Sequence, residues 1–164
     1  MKKPHHLAEP NCFEEKAEDN FEIFPRGLNI VWGDDPRYWS LETSTNGAAT
    51  LIQVSWLDVS GMVEVKQGKK YRVTFEVMMK PDAFGWTGSP VLVMAKVGKK
   101  GKYTYSEILL SSHSGEAITI PDGGVEVDLT QGSEKKIYFG LYEVWSGKWK
   151  GGLMIKKAKV EPVT

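Results

Sequence analysis

Apolar and polar positions alternate with a period of two along most of this chain. In YRVTFEVMM, Tyr71, Val73, Phe75, Val77 and Met79 fall on one face. In KIYFGLYEVW, Ile137, Phe139 and Leu141 point one way, and Tyr138, Tyr142 and Val144 the other. LNIVW places Leu28, Ile30 and Trp32 together, and TLIQVSW does the same for Ile52, Val54 and Trp56. VLVMAKV, YTYSEILL, EAITI, VEVDL and GLMIKKAKV continue the pattern. A side chain that reverses direction at every residue belongs to a strand with one buried and one wet face.

Turn-forming clusters separate these runs: Thr45-Asn46-Gly47, Gln67-Gly68-Lys69, Gly85 to Pro90, Gly98 to Gly101, Pro121 to Gly124 and Gln131-Gly132-Ser133. About eight to ten short strands between such turns predict an all-β domain. The expected architecture is an antiparallel β-sandwich, jelly-roll-like, of two packed sheets. Residues 21–164 read as a single domain, and residues 1–20 as a polar, partly flexible N-terminal segment. Helix-like composition is confined to the stretch around Glu14 to Asp19, which lacks an apolar stripe.

Charge narrows the choice of partner. Lys+Arg and Asp+Glu both number 21 in 164 residues, so the chain lacks the basic excess of a domain built mainly to grip nucleic acid. Lys99, Lys100 and Lys102, and Lys156, Lys157 and Lys159, are local clusters best read as solvated turn and edge residues. The opening residues MKKPHH contain no apolar run, so no secretory signal is expected. No apolar stretch is long enough to predict membrane insertion. Cys12 is the one cysteine, so no disulfide forms within the chain, although one between chains stays open.

Candidate catalytic groups are sparse. His5 and His6 lie in the polar head and His113 in SSHSGE, with no His/Cys spacing typical of a metal site and no strand–turn–helix setting for a nucleophile. Asp34, Asp35 and Glu143 are the carboxylates from which a glycosidase pair would have to be drawn. Asp-Asp-Pro is also ordinary turn chemistry, because Asp caps its own turn and Pro fixes the next φ. Tryptophans are better placed for function. Trp56 shares the Ile52/Val54 face and reads as core. Trp86 lies in the segment Phe84 to Pro90, Trp145 and Trp149 bracket Ser146-Gly147-Lys148, and Trp32 and Trp39 flank the turn WGDDPRYW. Loops carry binding groups, and indole or phenol rings match the apolar face of a sugar while Asp, Glu and Arg match its hydroxyl edge. Closing the corners of the sandwich is the competing role for the same rings.

LNIVWGDDPRYWSL resembles the signature segment of the phloem protein 2 family of plant lectins, which is related to the tobacco lectin Nictaba. VSWLDVSGMVEVK, YRVTFEVMM and LYEVWSGKWKGGLMIKKAKVEP resemble further family segments in the same order, so the likeness runs from Phe21 to Pro162. The short head and single module look most like the stand-alone lectins of cucurbit phloem sap. The chain departs from the family at Lys157, where Gly is frequent, and at Glu161-Pro162, where Arg-Pro is common. It also lacks a clear lysine-rich nuclear-targeting stretch.

The resemblance implies a homodimeric lectin of the cytoplasm and phloem sap, active in plant defence. It implies binding of chito-oligosaccharides (N-acetylglucosamine oligomers) and N-glycan cores; the sparse catalytic and metal-ligating residues separately predict no enzymatic activity, cofactor or metal. It also implies sugar-binding roles for Trp32, Trp39 and Glu143. To these the loop argument adds Tyr38, Trp86 and Trp149, with Asp34 and Arg37 as candidates for hydroxyl and acetamide contacts. Trp32 and Trp39 are expected to do two jobs, closing the sandwich with one edge and meeting sugar with a ring face. Two other readings remain open: a structural phloem protein associated with RNA or with phloem filaments, and a small glycosidase.

Overall fold

A computed structural model describes residues 4–110 and 115–163. Among the described residues strands are the only regular elements apart from one 3-10 turn at Pro25–Gly27. One sheet contains β1 (Phe13–Ala17), β2 (Asn20–Ile23), β4 (Trp39–Leu41), β5 (Ala49–Leu51), β7 (Lys70–Phe84), β10 (Ala117–Asp128) and β12 (Gly151–Pro162). The second runs β3-β6-β11-β8-β9, formed by Asn29–Ile30, Leu57–Glu64, Lys136–Glu143, Val91–Val97 and Thr104–Ile108. All named pairings are antiparallel, and the two sheets pack as the expected sandwich. Among the described residues no helix is long and apolar enough to cross a membrane.

The alternation predicted the centre of each sheet. Tyr71, Val73, Phe75, Val77 and Met79 of β7 are all buried, as are Ile137, Phe139 and Leu141 of β11. Phe75 and Phe139 meet across the sandwich edge to face, with ring centroids 6.1 Å apart. Long runs of large apolar residues on both inner faces supply the area that drives the sheets together.

Three stretches differ from the simplest reading of the sequence. Pro121 to Gly124 does not divide two strands: it is a bulge within β10, whose Ile120 pairs with Phe75 and Val125 with Val73. The extra residues loop out while both halves stay on β7, and Gly124 adopts φ +77°, where a Cβ would collide with the Arg72 side chain. The stretch around Glu14 to Asp19, helix-like in composition but without an apolar stripe, is strand and turn: β1 pairs with β2, Phe13 opposite Ile23. The third concerns Ile52 to Trp56, which continues no strand. β5 ends at Leu51, and only Val54 keeps its side chain in the core. Its backbone bridges to Lys150.

The described part of the head packs on the domain. His6 exchanges backbone hydrogen bonds of 2.9 Å with Ile30, and Cys12 is buried. Burial, with Glu9 nearby, pushes the Cys12 thiol pKa up, so the thiol is both covered and protonated in this conformation. Asp19 is the main anchor. Its carboxylate accepts from the Lys66 and Gln67 N–H groups at 2.8 and 2.9 Å and from the Tyr71 hydroxyl at 3.0 Å. Burial alone would raise its pKa, but these three bonds more than offset that and hold it low. One acid thus ties the β1–β2 turn to the β6–β7 turn.

Replacing Asp19 by Ala strands those donors in a buried corner. We expect chemical denaturation of Asp19→Ala to show a loss of roughly 1–3 kcal/mol. Unchanged stability would mean that water replaces the carboxylate.

Candidate functional site

The turn from Trp32 to Trp39 is fastened from within. The Asp35 carbonyl accepts from the Tyr38 and Trp39 N–H groups at 3.0 and 3.1 Å. The Asp35 carboxylate accepts from the Arg37 backbone N–H and from its guanidinium, at 2.7 Å for Nη2, and the paired Arg37 holds its pKa low. Asp35-Pro36 is therefore the turn itself, as the sequence suggested. Trp32 leaves the strand and sits at φ +66°, a left-handed conformation rare for a bulky residue. Its N–H donates to His5 Nδ1 at 2.9 Å, and the His5 ring meets the indole edge-on.

That backbone twist turns the Trp32 ring outward, away from the Leu28/Ile30 face. It joins Tyr38, Trp56 and Trp149 around an open cleft of about 130 Å³, floored by Val54 and Ser55. Trp32, Trp56 and Trp149 are 37%, 48% and 53% exposed. Tyr38 and Trp149 lie nearly parallel, 26° apart with centroids at 6.4 Å, while Trp32 meets Tyr38 edge-on at 5.6 Å. The Arg37 guanidinium lies 5.0 Å from the centre of the Tyr38 ring. Trp56 Nε1 donates to Asp58 at 3.3 Å, which fixes the indole. Burial pushes the Asp58 carboxyl up, partly offset by that bond and by His5.

Behind the cleft lies a buried ion pair. Lys150 Nζ sits 2.6 Å from Glu143 Oε2, and both side chains are shielded from solvent. Glu143 also accepts from the Ser146 N–H at 3.1 Å and the Ser146 hydroxyl at 2.8 Å. Lys150 Nζ donates to the Ser55 carbonyl at 2.9 Å. The pair therefore joins the base of the Trp145–Trp149 loop to the Val54–Ser55 segment and sets Trp149 beside Trp56. Burial would raise the Glu143 pKa, but hydrogen bonds from Lys150 and Ser146 outweigh it and keep the carboxylate ionised.

The structure sorts the sequence candidates into three groups. Trp32, Tyr38 and Trp149 come together in the cleft. Asp34 and Arg37 lie on its turn: Asp34 Oδ1 is 3.3 Å from His6 Nδ1, and Arg37 is engaged by Asp35. Trp39, Trp86 and Glu143 are buried. Trp39 is 2% exposed, packed in β4 opposite Leu51 with its indole N–H unpaired, so it presents no ring face. Trp86 folds inward and donates from Nε1 to the Gly151 carbonyl at 2.9 Å. The expectations of an open face on Trp39 and of a loop-exposed Trp86 are thus corrected, because each ring fills a corner of the core. Trp56 is the opposite correction. Read as core, it is an exposed wall of the cleft, because β5 ends at Leu51 although the alternation runs on through Gln53 and Ser55. His113 lies outside the described residues. Among the described residues no cluster of three or more His, Cys, Asp or Glu is arranged to hold a metal ion.

Removing one member of the buried pair leaves an uncompensated charge. Lys150→Ala should cost about 3–5 kcal/mol by denaturant titration, and the Glu143→Gln/Lys150→Met double variant less. Equal losses would show that packing, and not the stranded charge, sets the cost.

The family described as Phloem protein 2 matches residues 18–162. Protein PHLOEM PROTEIN 2-LIKE A9 of Arabidopsis thaliana is 39% identical, covering 99% of this chain and 98% of that protein. A protein of Luffa acutangula named Lectin is 37% identical over 45% of this chain and 40% of its own length. Among solved structures, the GH26-CBM35 β-(1,4)-mannanase of Podospora anserina superposes with a TM-score of 0.57 over 90% of this chain and 28% of that one, at 8% identity, a likeness of fold alone. Both the extent of the family match and the full-length relative place this chain in the phloem protein 2 family.

Proposed function

We propose that this protein is a non-enzymatic lectin that binds N-acetylglucosamine oligomers, free or in N-glycan cores, in the cleft of Trp32, Tyr38, Trp56 and Trp149. The observation that carries this reading is the set of four aromatic rings held part-exposed around one concavity. Exposed indoles cost hydrophobic energy that burial would recover, and these are fixed in place by the strained Trp32 backbone, the Asp35–Arg37 pair and the Glu143–Lys150 pair. Sugar C–H faces stack on such rings, and Asp34 and Arg37 at the turn supply polar edges for hydroxyl and acetamide groups. Relatives in Luffa acutangula and Coccinia grandis that carry the name Lectin support the class.

Energetics set the scale. Stacking contacts at ~0.5–1.5 kcal/mol and hydrogen bonds at about 0.5–1.5 kcal/mol sum to a few kcal/mol per sugar. One cleft binds weakly, so a homodimer presenting two would gain from multivalent glycans. Phloem sap and the cytoplasm are the proposed setting, in line with the phloem proteins it resembles. Against a glycosidase, Glu143 is ionised and fully engaged by Lys150 and Ser146, which makes it a poor general acid. Against an RNA carrier, Lys157 and Lys159 are paired with Glu22 and Glu76.

Calorimetric titration with chitotriose, with cellotriose as control, tests this reading. Wild type should release heat with chitotriose only. Trp149→Ala should bind at least about tenfold more weakly at unchanged melting temperature, a loss of about 1.4 kcal/mol. Trp39→Ala should instead lower stability. Undiminished affinity at unchanged stoichiometry in Trp149→Ala contradicts the proposal.

A further inference from the structure

The loop that carries Trp149 also carries Trp145, and Trp145 faces a different concavity. This second cleft, about 480 Å³, has Ser89, Leu92, Tyr105, Glu107, Glu143 and Trp145 in its walls, and it shares no lining residue with the Trp32–Trp149 cleft. Its walls come from separate elements. Leu92 of β8 stands opposite Glu107 of β9, and Met94 opposite Tyr105, so the outer face of this sheet edge forms one side. The Ser89 loop and the Trp145 loop form the others.

Two features mark the concavity as more than a surface dent. Trp145, 61% exposed, and Tyr105 both present large apolar rings to it without being needed by the core. Ser89 lines it and is buried, yet its hydroxyl has no hydrogen-bond partner. Buried hydroxyls are paired in the great majority of cases, so an unpaired one in the wall of a cleft marks a point where the packing is unfinished. Glu143 contributes only its covered side, since its oxygens are already occupied by Lys150 and Ser146.

The ligand class follows from these groups. Flat rings at Trp145 and Tyr105 ask for a flat apolar face. Glu107 asks for hydroxyl or amide groups at its edge. Its carboxylate opposes phosphate and other anions, and a plain hydrocarbon would leave it without a partner. A neutral carbohydrate ring meets all of these conditions.

We infer that the cleft between Ser89, Tyr105, Glu107 and Trp145 is a second carbohydrate-binding site, so that each chain holds two glycan segments, one on each side of the Trp145–Trp149 loop. The choice of N-acetylglucosamine oligomers as the probe rests on the lectin reading above; the existence of the cleft does not. Two sites per chain would let even a single subunit engage a polymer at two points.

The test is a titration of the full chain with chitotriose, followed by the indole N–H signals of Trp145 and Trp149, assigned through Trp145→Phe and Trp149→Phe. Both signals should shift, saturating near two ligands per chain. Trp145→Ala should halve the stoichiometry and leave the Trp149 shift intact, and Glu107→Gln should weaken only the Trp145 response. A shift at Trp149 alone, with one ligand per chain, overturns this inference and spares the lectin reading. A shift at Trp145 alone upholds it and overturns the assignment of the first cleft. No shift at either overturns both. Trp145 is exposed, so the variant's fold is expected to survive, and an unchanged melting temperature checks it.

Discussion

The ion pair between Glu143 and Lys150 holds the working edge of this protein together. Two charges taken out of water lose several kcal/mol of hydration each, and their attraction repays that only when the remaining donors and acceptors are satisfied. Here they are. The Glu143 oxygens accept from Lys150 Nζ, Ser146 N–H and Ser146 Oγ, and Lys150 Nζ also reaches the Ser55 carbonyl. What the pair contributes is position more than stability. It joins the end of β11, the following loop and the segment entering β6, so Trp149 and Trp56 are held on the same cleft by a rigid, dry link.

Around that link the protein divides its tryptophans by role. Trp39 and Trp86 close the core, and Trp32, Trp56, Trp145 and Trp149 stand outside it. Keeping an indole part-exposed and oriented costs energy at several points. Trp32 occupies a left-handed backbone conformation that carries a strain of roughly 1–3 kcal/mol, and His5, Tyr38 and the Asp35–Arg37 pair hold it there. The core formed by β7 and β11 tolerates these costs because its inner faces are continuous and apolar. The edge can then specialise while the two sheets remain those of an ordinary sandwich.

The fold was legible wherever period-two alternation ran long enough. Five successive inward residues in β7 and three in β11 left little doubt about which face was buried. The pattern failed where backbone geometry, not side-chain type, makes the decision. Trp32 continues the Leu28/Ile30 alternation on paper, but a positive φ turns it outward. Trp56 continues Ile52/Val54, but the strand has already ended at Leu51. Pro121 to Gly124 carries every mark of a turn, yet β7 pairs with both sides of it. Glu143 was legible as important through its family segment, whereas its partner Lys150 and the role of Asp19 were not. A buried acid and a surface acid look the same in one sequence, and only the tertiary contacts tell them apart.

A crystal structure of the protein with bound chitotriose would test most directly whether aromatic surface, positioned by a buried charge pair, is what holds the sugar. The account predicts a sugar ring stacked on Trp149 and bordered by Trp32, Tyr38 and Trp56, with Glu143 still bonded to Lys150 and Trp39 still covered. A sugar hydrogen-bonded directly to a Glu143 released from Lys150, with Trp39 swung out to meet it, would contradict the account.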